Sequence, residues 1–184
     1  MLKKISCALI ALLFLLTVSP ASAALNAYLK VKGRTLGDIK GSVNLKGREG
    51  QIAVLNSNHE IVSPRDMATG LPTGKRQHKP FVITKELDKS SPILYKALIT
   101  NEILTEVELR FWRGGEKGGE AQQFYTVKLT NATIASIRFV QPSSVHVDLR
   151  HLSEYEEISF TYSKIEWTWT DGGITASDDW TARI

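Results

Sequence analysis

Four runs of this chain alternate apolar and polar residues one by one, and no other feature limits its fold so tightly. In "DIKGSVNLK", Ile39, Val43 and Leu45 share one face, and Lys40, Ser42, Asn44 and Lys46 share the other. "TEVELRFW" sets Val107, Leu109 and Phe111 against Glu106, Glu108 and Arg110. "QFYTVKLT" sets Tyr125, Val127 and Leu129 against Thr126 and Lys128, and "EISFTY" aligns Ile158, Phe160 and Tyr162. A strand points successive side chains to opposite faces, so each run gives a strand with one face toward a core and one toward water. Turn residues punctuate the runs at Lys46-Gly47, Gly114-Gly115, Gly118-Gly119 and Asp171-Gly172-Gly173. The pattern predicts a mainly β protein, a closed or two-sheet β-barrel.

Three departures from the alternation refine this. Phe160 and Tyr162 stand at even positions, whereas Ile165, Trp167 and Trp169 stand at odd ones. One regular strand cannot bury both sets, so a bulge or a passage between sheets is expected near Ser163-Lys164. A single helix is expected after Ser90 or Ser91, with Pro92 in its first turn and Ile93, Leu94, Ala97 and Leu98 as its apolar stripe. It should end near Thr100-Asn101 and cover one open side of the barrel. The third departure is residues 56–80, which hold Pro64, Gly70, Pro72, Gly74 and Pro80 and sustain no alternation. A connection of about 25 structureless residues is too long for a compact domain unless it has a function. Ile61, Val62, Met67 and Leu71 in it call for burial. It is read as an arm that docks on another subunit.

The N-terminus reads as a separate element. Lys3 and Lys4 precede the apolar run "ISCALIALLFLLTV", Pro20 follows it, and Ala21-Ser22-Ala23 satisfies the small-x-small cleavage rule. These are the parts of a Sec signal peptide, with cleavage between Ala23 and Ala24, and the run is short for a membrane span. Cys7 lies at the start of the apolar run, where a lipid-modified cysteine would follow it. The division is therefore 1–23 leader and 24–184 a single domain. No stable membrane insertion is expected. The only cysteine leaves with the leader, so the mature chain has no disulfide or thiolate chemistry. Its balance is 21 basic against 19 acidic residues, too even to suggest nucleic acid as a partner.

Chemistry-bearing patterns are sparse. There is no Gly-x-Ser-x-Gly elbow, no Gly-x-x-x-x-Gly-Lys-Ser/Thr loop and no His-Glu-x-x-His. "RGGEKGGE" reads as a hairpin tip. His146, His151 and Asp148 read as loop residues rather than metal ligands, and Glu154, Glu156 and Glu157 as a solvated face. No cofactor, metal or catalytic residue is expected, and the chain is not read as an enzyme. The densest basic patch, "GKRQHKP" at residues 74–80, lacks interleaved aromatics for base stacking. It suits an acidic neighbour, and Asp178 and Asp179 supply such a partner. Trp167, Trp169 and Trp180 concentrate near the same end and serve packing or an interface. An arm that reaches one neighbour makes a head-to-tail contact, which closes into rings or extends into filaments.

Two segments carry a specific resemblance: "SPRDMATGLPTGKRQHKPFVITKELDKSSPILYKAL" (residues 63–98) and "YSKIEWTWTDGGITASDDWTARI" (residues 162–184). Both resemble the Hcp family, the tube proteins of type VI secretion systems, and the likeness extends over residues 24–184. The resemblance implies a β-barrel protomer with one helix, hexameric rings, and rings stacked into a hollow tube inside a contractile sheath. It implies a VgrG-type spike protein, sheath proteins and small effector proteins as partners, the effectors carried in the lumen. It implies that the arm reaches a neighbouring protomer or ring, so Ser63, Pro64, Arg65, Asp66, Met67, Gly70, Leu71, Pro72, Gly74, Lys75, Arg76, His78 and Lys79 are expected at the oligomer interface, and the charge and aromatic reading adds Asp178, Asp179 and Trp180. The leader departs from the family pattern, since such tubes are built in the cytoplasm. It implies a chain secreted or held in the periplasm, the alternative being a cytoplasmic chain until contraction. A Sec-exported binding module or ring acting without a sheath is the alternative function.

Overall fold

The computed structural model describes residues 26–115, 120–149 and 153–180. The leader, the Ala23–Ala24 cleavage position, Gly118-Gly119 and His151 lie outside them. The elements in chain order are β1 (Asn26–Gly33), β2 (Gly37–Ile39), β3 (Ile52–Val54), β4 (Asn56–Asn58), β5 (Ile61–Val62), β6 (Gln77–His78), β7 (Phe81–Glu86), α1 (Ser91–Ile99), β8 (Leu104–Arg113), β9 (Gln122–Val140), β10 (Tyr155–Thr161), β11 (Lys164–Trp169) and β12 (Ile174–Asp179). Among the described residues the expected mainly β architecture with one short α-helix is present.

The long strand β9 organises the molecule. Its first half lies between β8 and β11, and its second half pairs with β10. Asn131 sits near the change with φ +49°, so the backbone turns there through the left-handed region that Asn tolerates better than most side chains. β10 and β11 follow the same turn along the other edge. Ser163 between them donates from its N–H and its hydroxyl to the Thr130 carbonyl. The register change between Tyr162 and Ile165 is therefore a passage from one sheet region to the other. Phe160, Tyr162 and Ile165 are all buried on the two sides of it.

On the opposite side, residues 52–58 do the same job. β3 pairs with β1, and β4 pairs with β7. The neighbour order is β2-β1-β8-β9-β10-β7-β4, with β11 and β12 added beside β9 and β3 beside β1. Two sheet regions thus face one core, bridged by β9 on one side and by β3–β4 on the other. Three core rows are those the alternation gave, Val107 and Leu109, Val127 and Leu129, and Ile158 and Phe160, and Leu29 and Val31 of β1 add a fourth. Leu94 and Ala97 of α1 join them, and α1 packs against β9.

Four expectations need correction. The run 38–46 is a strand only through Ile39, in β2 (Gly37–Ile39). Beyond it the chain folds over Gln51 and Ile52, and a Cβ on Gly41 would stand 2.4 Å from the Gln51 carbonyl oxygen. Leu45 is consequently exposed. Residues 56–80 are not structureless, since they contain β4 and the two-strand ribbon β5–β6. The helix starts after Ser90, but neither serine caps it with its side chain; Asp88 instead accepts from the Ser90 N–H and hydroxyl. Ile93 lies on the exposed side of α1.

The fourth correction is Glu156, which is wholly buried rather than solvated. It stands directly opposite Lys85, also wholly buried, in the β10–β7 register. Lys85 Nζ donates to Glu156 Oε2 at 3.2 Å and to Ser91 Oγ at 2.9 Å, and Ser91 donates to the same Glu156 oxygen at 2.9 Å. Charges so deep persist only when paired and hydrogen-bonded.

Candidate assembly surface and the root of the arm

The arm leaves the sheet at the end of β4 and returns at the start of β7. Its base is a ribbon in which Ile61 faces His78 and Val62 faces Gln77. The Lys79 N–H donates to the Glu60 carbonyl at 3.0 Å. Farther out the Thr73 N–H donates to the Pro64 carbonyl at 3.0 Å, and Arg65 faces Pro72 in an isolated bridge.

The tip is a turn built on Asp66. Its carboxylate accepts from the Ala68 N–H, the Thr69 N–H and the Thr69 hydroxyl. These bonds, those to Thr69 foremost, hold the Asp66 acid below its ordinary range. The Asp66 N–H donates to the Leu71 carbonyl and the Gly70 N–H to the Asp66 carbonyl, while Arg65 Nη1 donates to the Gly70 carbonyl. Gly70 has φ +70°, which a side chain would strain. The tip is thus ordered by its own bonds, yet Met67 is 100% exposed and Leu71 65% exposed. Ser63, Gly74, Lys75 and Lys79 are exposed as well.

At the root, the basic cluster and the acidic C-terminal pair meet within one chain. Arg76 grips both carboxylate oxygens of Asp178 through Nε and Nη2, and Nη2 also donates to the Asp179 carbonyl at 3.1 Å. The pairing of these charges was legible, and in this chain Arg76 meets Asp178 on its own β12. His78 Nε2 lies 2.8 Å from Asp178 Oδ2, and His78 Nδ1 lies 2.8 Å from the Tyr162 hydroxyl. His59 Nε2 reaches the same hydroxyl at 2.6 Å. The His78 ring also leans on Trp180, and His59 on Phe81.

The electrostatics follow from these contacts. The Arg76 hydrogen bonds, with help from His78, hold the Asp178 acid below its ordinary value against the opposing effect of burial. Burial, with a smaller contribution from the Asp178 charge, pushes the Tyr162 phenol well up. Burial first, and then the nearby His78, pushes the His59 imidazole down. His59 and Tyr162 escaped the sequence reading as members of this cluster. Tyr162 was legible only as core, and nothing local ties His59 to residues about a hundred positions away.

Among the described residues, no three His, Cys, Asp or Glu side chains are grouped to hold a metal ion, and His146 and Asp148 are exposed. No helix among them is long and apolar enough to cross a membrane. The distinctive surface among the described residues is an ordered, apolar-tipped arm whose root is clamped to the sheets.

Comparison with known proteins specifies the class. The family model described as "Type VI secretion system effector, Hcp" matches residues 28–169. The Major exported protein of Pseudomonas aeruginosa (strain PAO1) is 37% identical over 167 residues, covering 86% of this chain and 96% of that one. Among solved structures, an Hcp protein crystal structure superposes with a TM-score of 0.79 at 34% identity, covering 87% of this chain and 100% of the other. The Hcp1 protein of E. coli EAEC 042 gives 0.75 at 36% identity, covering 85% and 99%. The secreted protein Hcp3 of P. aeruginosa gives 0.69 at 34% identity, covering 86% and 100%. This chain belongs to the Hcp family. It is a self-associating tube protein of type VI secretion, a structural component and not an enzyme.

Proposed function

We propose that the chain assembles head to tail into hexameric rings that stack as a tube, and that the arm tip supplies a contact to a neighbouring protomer. The observation that carries this reading is the combination at the tip: an ordered turn holding Met67 fully exposed and Leu71 mostly exposed. Ordering a loop has an entropic cost, and displaying two large apolar groups on it gains nothing in a lone protomer. Both are offset when a second copy covers the tip. Ser63, Pro64, Arg65, Asp66, Gly70, Pro72, Gly74, Lys75 and Lys79 then frame the contact. Arg76, His78, Asp178, Asp179 and Trp180 fix the direction of the arm from its root. The spike protein, sheath and small effector proteins are the partners proposed for the assembled tube. The leader is proposed to be a working Sec signal that exports the mature chain.

The double variant Met67→Ser, Leu71→Ser tests the arm. Burying one Leu-sized group contributes about 1.5–3 kcal/mol. Repeated around a ring, that loss should shift assembly by orders of magnitude in protein concentration. Sedimentation velocity should show a folded monomer in place of the parent's ring species. Rings formed by the variant at the parent's concentration would overturn the arm contact.

A further inference from the structure

The arm root is a clamp whose hydrogen bonds restrict how many protons it can hold. Asp178, ionised beside Arg76, only accepts, so His78 Nε2 carries hydrogen toward it. With both imidazoles neutral, His78 Nδ1 must then accept, Tyr162 donates to it, and His59 Nε2–H donates to the phenol oxygen. Every group in the chain has a partner. One added proton is also accommodated. Placed on His78 Nδ1, it reverses the two bonds to Tyr162; placed on His59 Nδ1, it changes neither.

A second added proton is different. Both His59 Nε2 and His78 Nδ1 now donate to the single Tyr162 oxygen, and the phenol hydrogen loses both of its acceptors. Two imidazolium rings also stand with centroids 6.3 Å apart, His78 with only 3% of its side chain exposed. The charged groups facing them are Arg76 from the arm and Asp178 and Asp179 from β12. Glu60 and Lys79, next in sequence to the two imidazoles, are exposed. The Phe81 ring also lies against His59 and the Trp180 ring against His78, and neither carries a charge. Asp178 and Asp179 carry two negative charges between them, fewer than the three cations, and Asp178 already serves Arg76.

We propose that His59, Tyr162, His78 and Asp178 form a proton-counting latch that keeps the arm root closed with up to one added proton and releases it when both imidazoles are charged. The inference rests on the arm being the assembly contact, and it adds acid as the condition that withdraws that contact. The depressed basicity of His59 agrees with it, because the folded root resists the proton that the open root accepts. The sign follows: a folded His below its ordinary value stabilises the root above about pH 6.5, and that contribution is lost as pH falls through the folded value. Asp178 is held below its ordinary range, so it stays ionised in this window.

The test is hydrogen exchange by mass spectrometry on the full chain from pH 8 to pH 5, corrected for the intrinsic pH dependence of exchange, with ring content measured in parallel. Opening that takes up one proton should increase by up to about tenfold per pH unit as pH falls from about 6.5 toward the depressed folded value, in peptides spanning 59–63 and 76–79. His59→Gln keeps a donor for Tyr162 and cannot be charged, so its root should show a flat profile and keep its rings in acid. Exchange that is flat in the parent, or equally steep in His59→Gln, would refute the latch. Acid opening in the parent and not in the variant, with ring content unchanged in both, would uphold the latch and overturn the arm contact instead.

Discussion

Replacing Lys85 with Met is the sharpest perturbation of the barrel. Lys85 Nζ lies 2.7 Å from the Glu86 carbonyl, 2.9 Å from Ser91 Oγ, 3.1 Å from Asp88 Oδ1 and 3.2 Å from Glu156 Oε2. Met fills a similar volume but leaves Glu156 with Ser91 as its remaining side-chain donor. Among the described residues no side chain or backbone group donates to Glu156 Oε1, so no second protein bond replaces the one lost. Removing one partner of such a buried pair costs about 3–5 kcal/mol, because an uncompensated charge stays behind. Against a total stability of about 5–15 kcal/mol this is severe. For a domain of this size it corresponds to roughly 6–20 °C in Tm. Assembly adds its own stabilisation, so the measurement belongs in the Met67→Ser, Leu71→Ser background at fixed concentration. Urea denaturation gives the equilibrium loss. The double change Lys85→Met, Glu156→Leu removes both charges and should recover much of it. A loss under about 1 kcal/mol for Lys85→Met, or strict additivity in the double variant, would sink the account of a buried and coupled pair.

Two further outcomes follow from particular contacts. Glu102 accepts from the Thr35 and Leu36 N–H groups at 2.5 and 3.1 Å and so ties down the β1–β2 turn. The Thr35 bond, foremost among these contacts, holds its acid below the ordinary 4.5, so its stabilisation is present above that pH and is lost as pH falls through the folded value. Glu102→Gln should weaken the turn at neutral pH and flatten that acid limb in urea midpoints taken from pH 7 to pH 3; an unchanged acid limb would contradict it. Lysines at Leu12 and Leu16 should retain precursor in the cytoplasm, since charge in an apolar leader segment is unfavourable at the translocon. Cell fractionation with N-terminal sequencing reads the result, and a parent chain found uncleaved in the cytoplasm would contradict the export proposal.

Much of the fold was legible because strand burial has a period that local sequence records. Val107 and Leu109, Val127 and Leu129, and Ile158 and Phe160 lie in the core because each run alternates, whatever its neighbours are. The shift from even to odd positions after Tyr162 likewise announced the passage between sheet regions, and Pro92 announced the start of α1. The failed strand beyond Ile39 shows the limit. Alternation at Val43 and Leu45 is genuine in the sequence, but Gly41 lets the chain cross Gln51 and Ile52 closely, and that crossing decides which side chains are covered.

The sequence by itself determined the class of fold, the single helix and the existence of an arm, since those depend on periodicity and on Pro and Gly backbone limits acting over a few residues. Only the tertiary structure decided which charges meet. Lys85 and Glu156 sit at inward positions of their strands, a signal readable in retrospect, yet nothing local makes them opposite until β7 and β10 pair in register. Arg76 and Asp178 were legible as partners by charge, and the fold joins them within this chain. His59, His78 and Tyr162 become a hydrogen-bonded chain only because β4, β6 and the β10–β11 corner converge. Electrostatic and hydrogen-bond terms depend on distances of a few ångströms between residues far apart in the chain, and one-dimensional order carries no such distances.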